Sequence, residues 1–118
     1  MKLNHLSLPT AHPAELADFF VSYFDFVITR QKSDCSMIAL TYDGFDLVIQ
    51  ASGAGGGSYP KDFHFGFILG DMEQVQAAHA RLKLLEINKV GQIVHGGRGA
   101  QFFVTGPDGI NIEIACHI

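Results

Sequence analysis

Gly106-Pro107-Asp108-Gly109-Ile110-Asn111-Ile112-Glu113-Ile114-Ala115-Cys116 is the stretch that orders the rest of this chain. Asp-Gly is a turn signal, because both residues tolerate a left-handed backbone. After the turn, apolar residues alternate with Asn111 and Glu113 over Ile110–Cys116, the period of a strand. Glu113 is therefore a lone carboxylate on one strand face. Desolvating such a charge costs several kcal/mol, so its neighbourhood should supply a cation or raise its pKa. The same signature occurs earlier, where Asp43-Gly44 opens the strand-like run Phe45–Ala51.

Working outward from the two turns, the flanking segments match. Ser36–Tyr42 and Ala100–Thr105 precede them as strand-like runs, and Phe26–Arg30 and Lys89–Val94 come before those. Each set is preceded by a helical pattern. Pro13 suits a first helical position and leads the stripe Leu16, Phe19, Phe20, Tyr23 and Phe24. Asp71 can cap the second helix with Gln74 as its capping-box partner, ahead of Met72, Val75, Ala78, His79, Leu82 and Leu85. A strand at residues 2–8 opens the first set and Phe63–Leu69 opens the second. Between the sets, Ser52-Gly53-Ala54-Gly55-Gly56-Gly57-Ser58 reads as a flexible connector. It lacks the Gly-Lys-Ser/Thr ending of a phosphate loop, and no helix follows it. The chain is expected to be one α+β domain of two βαβββ modules, about 1–52 and 61–118, with a linker at 53–60.

The duplication places His5 and His64 at equivalent points on the opening strand of each module. Two imidazoles and a carboxylate can hold a divalent metal and leave positions open for substrate, so His5, His64 and Glu113 form the candidate ligand set. Glu113 is the fourth residue after Gly109, and the fourth after Gly44 is Val48, so a symmetric fourth ligand is missing. Gln50 shares that strand face and could orient a substrate.

Composition narrows the function classes. A hydrophobic content of 47% and a charged content of 17% over 118 residues describe a globular domain with no disorder signature. The net charge is −4 and the eight Lys and Arg are scattered, which sets aside nucleic-acid and anionic-membrane partners. No apolar run approaches the roughly 18 residues of a membrane span. Asn4, His5 and Ser7 interrupt any signal-peptide layout, and Cys35 and Cys116 lack a CxxC spacing, so reduced thiols in a cytoplasmic protein are expected.

Paired modules with a His on each opening strand and a Glu on the closing one resemble the vicinal oxygen chelate superfamily. That group contains glyoxalase I, methylmalonyl-CoA epimerase, extradiol dioxygenases, fosfomycin-resistance thiol transferases and bleomycin-binding proteins. The most specific segments are Leu3–Leu8 and Gly97–Glu113, the latter resembling a Pro-Asp-Gly turn that leads to a metal-binding Glu. The resemblance implies an open, cup-shaped, mostly antiparallel sheet with helices on its convex face. His5, His64 and Glu113 would face the cup, and Leu6, Phe63, Phe65, Phe67, Ile112 and Ile114 would face the helices.

It also implies a divalent metal (Ni, Mn, Zn, Fe or Co) that polarises a small oxygenated substrate, with a thiol as a candidate cosubstrate. Val48 stands where glyoxalase-type enzymes carry a second Glu. Fosfomycin-type transferases match better in ligand count, and Ser7 takes the place of their hydroxyl-bearing residue two after the first His. Glu113 and Ser7 are thus the catalytic candidates. Gln50, Val48, Arg98 and Phe103 are the substrate-binding ones, Arg98 toward a carboxylate or thiol conjugate. An extradiol dioxygenase would use the same triad around Fe(II), but Phe103 stands where a Tyr is expected. A metal-free or non-catalytic ligand-sequestering protein of the bleomycin-resistance type is the other alternative. Members of this size commonly form homodimers with shared sites.

Overall fold

The computed structural model describes residues 1–53, 57–85 and 89–118. They fall into two compact units, Met1–Ser58 and Tyr59–Ile118. The first contains β1 (His5–Thr10), α1 (Pro13–Phe24), β2 (Val27–Gln31), β3 (Met37–Tyr42) and β4 (Phe45–Ala51). The second contains β5 (His64–Leu69), α2 (Met72–Leu84), β6 (Val94–Gly96), β7 (Gly99–Thr105) and β8 (Asn111–His117), with a short 3-10 turn at Pro107–Gly109 before β8. Each unit is a βαβββ module, the α+β architecture expected. Residues 54–56 of the expected connector lie outside the described residues.

Each unit forms its own sheet, ordered β1-β4-β3-β2 and β5-β8-β7-β6. In both, the opening strand runs parallel to the closing strand while the other pairs are antiparallel. A parallel pair needs a long crossover, which the helix and the two intervening strands provide. One face of each sheet is apolar. Leu8, Ile38, Leu40, Leu47 and Ile49 are buried with Leu16, Phe19, Phe20 and Phe24 of α1. Phe102, Val104, Ile112 and Ile114 are buried with Val75 and Leu82 of α2. Phe20 and Phe102 are the largest of the fully buried side chains, and truncating either to Ala would cost about 3–5 kcal/mol. Leu6, Phe63, Phe65 and Phe67 are half-buried.

The ends of the elements follow local chemistry. Asp43 (φ 48°) and Gly44 (φ 80°) both take the left-handed backbone of a two-residue hairpin, pairing Tyr42 with Phe45. Asp25 ends α1 at φ 61°, and the Phe26 N–H donates to the Phe20 carbonyl at 3.3 Å. At α2 the Asp71 carboxylate accepts from the Gln74 N–H at 2.9 Å. The Gln74 side chain reaches one residue further back than a capping box would, accepting from the Gly70 N–H at 2.9 Å.

Two strands differ from expectation. β1 begins at His5 and runs through Pro9 to Thr10, where the sequence suggested 2–8. Pro9 is tolerated because β1 stands last in its ladder. The expected strand Lys89–Val94 is reduced to a bridge between Val90 and Val104, and regular pairing starts only at Val94. The His79 Nε2–H donates to the Gly91 carbonyl at 2.8 Å, which ties this segment to α2. A Cβ at Gly91 would stand 3.3 Å from the Phe103 carbonyl, so the segment presses closely on β7.

Candidate functional site

The face of each sheet turned away from its helix carries the polar residues. In the first unit, ladder register puts His5 opposite Asp46, Ser7 opposite Val48 and Pro9 opposite Gln50. In the second, His64 lies opposite Asn111, Gly66 opposite Glu113 and Ile68 opposite Ala115. The two registers superpose His5 on His64 and Val48 on Glu113. The closing strand thus carries a carboxylate in one unit and an isopropyl group at the same place in the other.

Both histidines are held by one ring nitrogen. His64 Nδ1 lies 3.1 Å from the Asp62 carbonyl oxygen, and a carbonyl only accepts, so Nδ1 carries the proton. His5 Nδ1 lies 2.9 Å from Asn4 Oδ1 and donates in the same way. In the neutral ring this leaves the Nε2 lone pair open, the arrangement of metal-ligating histidines whose second nitrogen is fixed by an oxygen.

Glu113 is half-buried, and its carboxylate has no hydrogen-bond or ion-pair partner among the described residues. Phe103 stands across from it on β7, and its ring meets His64 edge-on, with centroids 5.2 Å apart at 89°. Since β8 lies between β5 and β7, the two rings reach over the strand that carries Glu113. Gly66 makes the approach of β5 to β8 possible, because a Cβ there would overlap the Glu113 carbonyl.

Val48 lies between Ser7 on β1 and Ala39 on β3. Gln50 Nε2 donates to Ser7 Oγ at 3.3 Å, joining two of the candidate residues. Asp46, exposed and opposite His5, is a carboxylate that pattern reading passed over. The signal was available, since alternation from Asp43-Gly44 sets Asp46, Val48 and Gln50 on one face. Asn111, its counterpart, is engaged instead, accepting from Thr105 Oγ1 at 2.8 Å and donating to the Lys61 carbonyl at 3.4 Å.

A cleft of about 250 Å³ opens on the second unit, lined by Glu113 at one end, Arg98 and His117 at the other, and Gln101 and Ala115 between. Arg98 and Glu113 are thereby brought to one cavity, and Phe103 to His64. His5, Ser7, Val48 and Gln50 belong to the first unit. Among the described residues, no group of three or more His, Cys, Asp and Glu side chains is placed to hold one ion. His79, on the α2 stripe, packs edge-on against Phe102 at 4.8 Å and is a framework residue.

The chain matches the model of the Glyoxalase/Bleomycin resistance protein/Dioxygenase superfamily over residues 2–114. Among solved structures, a possible glyoxalase from Bacillus cereus is 29% identical with a TM-score of 0.81, covering 98% of this chain and 99% of that one. Lactoylglutathione lyase from Agrobacterium tumefaciens is similar in fold at 13% identity and TM-score 0.80, covering 98% and 92% of the respective chains. The genomically encoded fosfomycin resistance protein of Listeria monocytogenes is likewise similar in fold, at 16% identity and TM-score 0.77, covering 100% and 94%. No curated protein matches the sequence. With nearly its whole length matched, the chain belongs to the Glyoxalase/Bleomycin resistance protein/Dioxygenase superfamily.

Proposed function

We propose that this chain is a divalent-metal-dependent, glyoxalase-like enzyme whose ligands are His5, His64 and Glu113 and whose substrate is a small oxygenated molecule or thiol adduct. The observation that carries the reading is the orientation of His64, with Nδ1–H on the Asp62 carbonyl, together with the half-buried carboxylate of Glu113, which has no partner among the described residues. Both groups have donor lone pairs, and among the described residues neither has a proton donor to satisfy them. His5, held by Asn4, has the same disposition. Such a donor set accepts Ni, Mn, Zn, Fe or Co, and a bound ion would supply Lewis acidity to substrate oxygen.

The chain's own residues restrict the chemistry. Val48 offers no proton acceptor where Glu113 has its counterpart, which favours thiol transfer or another addition over isomerisation by a second carboxylate. The Ser7 hydroxyl, steadied by Gln50, can hold a proton at a substrate oxygen. Phe103 fixes the His64 ring and excludes water from one side, and Arg98 receives an anionic part of the substrate. The same absence of a base at Val48 supports a second reading, a non-catalytic protein that sequesters its ligand.

The ligand set is shared in our reading, with His5 of one chain completing the site of another in a homodimer. Cys35 and Cys116 are both free, in keeping with a cytoplasmic location. Melting curves with added Mn, Ni, Zn or Co test the metal. At about a hundredfold excess over Kd the shift should be on the order of 10 °C, and Glu113→Gln and His64→Ala should each remove it. An unchanged melting temperature with all four ions would defeat the metal reading. A metal-dependent shift without turnover of epoxide, hemithioacetal or catechol panels would favour the sequestering protein.

A further inference from the structure

The cleft on the second unit has a polarity that metal ligation alone leaves unused. Glu113 stands at one end and Arg98 at the other, and neither side chain has a partner among the described residues. Arg98 is exposed in a loop, but its backbone is anchored. The Ile118 N–H donates to the Arg98 carbonyl at 3.0 Å, and the adjoining Gly99 pairs with His117. The guanidinium is thus a free cation on a fixed stem.

The floor between the two ends mixes polar and apolar groups, with Val94 and Ala115 the apolar ones. Ala115 is 3% exposed, and Gln101 is the polar side chain beside it. Gly96 pairs with Gly99, so neither of these positions adds a side chain at the Arg98 end, where His117 is the imidazole beside the guanidinium. A Cβ at Gly99, whose φ is 134°, would overlap the Cys116 carbonyl, so the backbone itself sets the width there. From Glu113 to His117 the strand advances ~13 Å at ~3.3 Å per residue. The reach of the Glu113 and Arg98 side chains shortens that to a gap that a few carbon–carbon bonds can span.

We propose that the preferred substrate is an anionic chelator. Its adjacent oxygens face Glu113 and His64, and a short apolar spacer carries a terminal carboxylate or similar anion to Arg98. The inference rests on the metal reading above and adds the far end of the molecule. Arg is suited to that end because its planar fork binds a carboxylate with two parallel hydrogen bonds. A cavity of about 250 Å³ admits a metabolite-sized acid and little more.

Calorimetry on the Co(II)-loaded full-length protein tests this with two probes that differ only at the far end, 2-hydroxyhexanedioate and 2-hydroxyhexanoate. The diacid should bind about tenfold or more tightly, the size expected of a charge-assisted hydrogen bond. Arg98→Met should bring the two affinities within about twofold by weakening the diacid alone, and Arg98→Lys should restore part of the difference. Equal affinities in the wild type, or an advantage that survives Arg98→Met, would overturn the proposal while leaving the metal site standing. If Co(II) itself fails to bind, seen as no d–d absorption and no heat, the metal reading and this inference fall together.

Discussion

Tyr59 shows how one residue's setting becomes a measurable property. Its ring stacks on Phe63 at 5.7 Å, and its N–H donates to the Asp108 carbonyl at 2.9 Å. Burial, with the Asp108 carboxylate adding to it, pushes the phenol up to about 12 from its ordinary 10. The folded chain then resists ionisation more than the unfolded chain does. The stability this contributes is complete below pH 10 and is lost as pH rises from about 10 to about 12. An ultraviolet titration of tyrosinate should show a late fraction among the three Tyr, and Tyr59→Phe should abolish it. A single early transition unchanged by the substitution would contradict this. At this scale the sequence was only partly legible. Alternation is enough to assign His5, His64 and Glu113 to strand faces. It says nothing of the Asp62 carbonyl that fixes the His64 tautomer, nor of the Phe103 ring reaching over β8. Those contacts depend on which strands become neighbours.

The elements of this fold depend on close approach as much as on hydrophobic pattern. β5 meets β8 through Gly66, where any Cβ would collide with the Glu113 backbone. Gly66→Ala should therefore destabilise the protein by about 1–3 kcal/mol or more, through overpacking at the very strand pair that bears His64 and Glu113. Denaturant unfolding would show it, and metal affinity should fall in the same variant. A fully stable variant would mean that the two strands can part without cost. The turns were readable because Asp43-Gly44 has one backbone solution in a two-residue hairpin. The short β6 was not. The segment before it is diverted by His79 on α2, a contact made across residues far apart in sequence.

For the molecule as a whole, duplication was the most legible property. Turn, strand and helix signals recur in the same order, and the ladders repeat with matching registers. How copies of the chain meet is written in no periodicity. If sites are shared, mixing His5→Ala chains with Glu113→Gln chains should regenerate one intact site per hybrid dimer. Metal binding by the mixture, with neither variant binding alone, would be seen by calorimetry after refolding together. Failure of the mixture to bind would place all ligands on one chain. The parallel pairing of β5 with β8 has another consequence, this time for the order of events during folding. His64 opens its unit and Glu113 nearly closes it, so their strands join only after a loop spanning most of that unit has closed. Such long-range pairing is slow and comes late, because its entropy is lost before its contacts form. A chain still emerging or half-collapsed holds scattered imidazoles and carboxylates without their arrangement. Capture of an ion by this pair would then mark the moment at which the unit has finished folding.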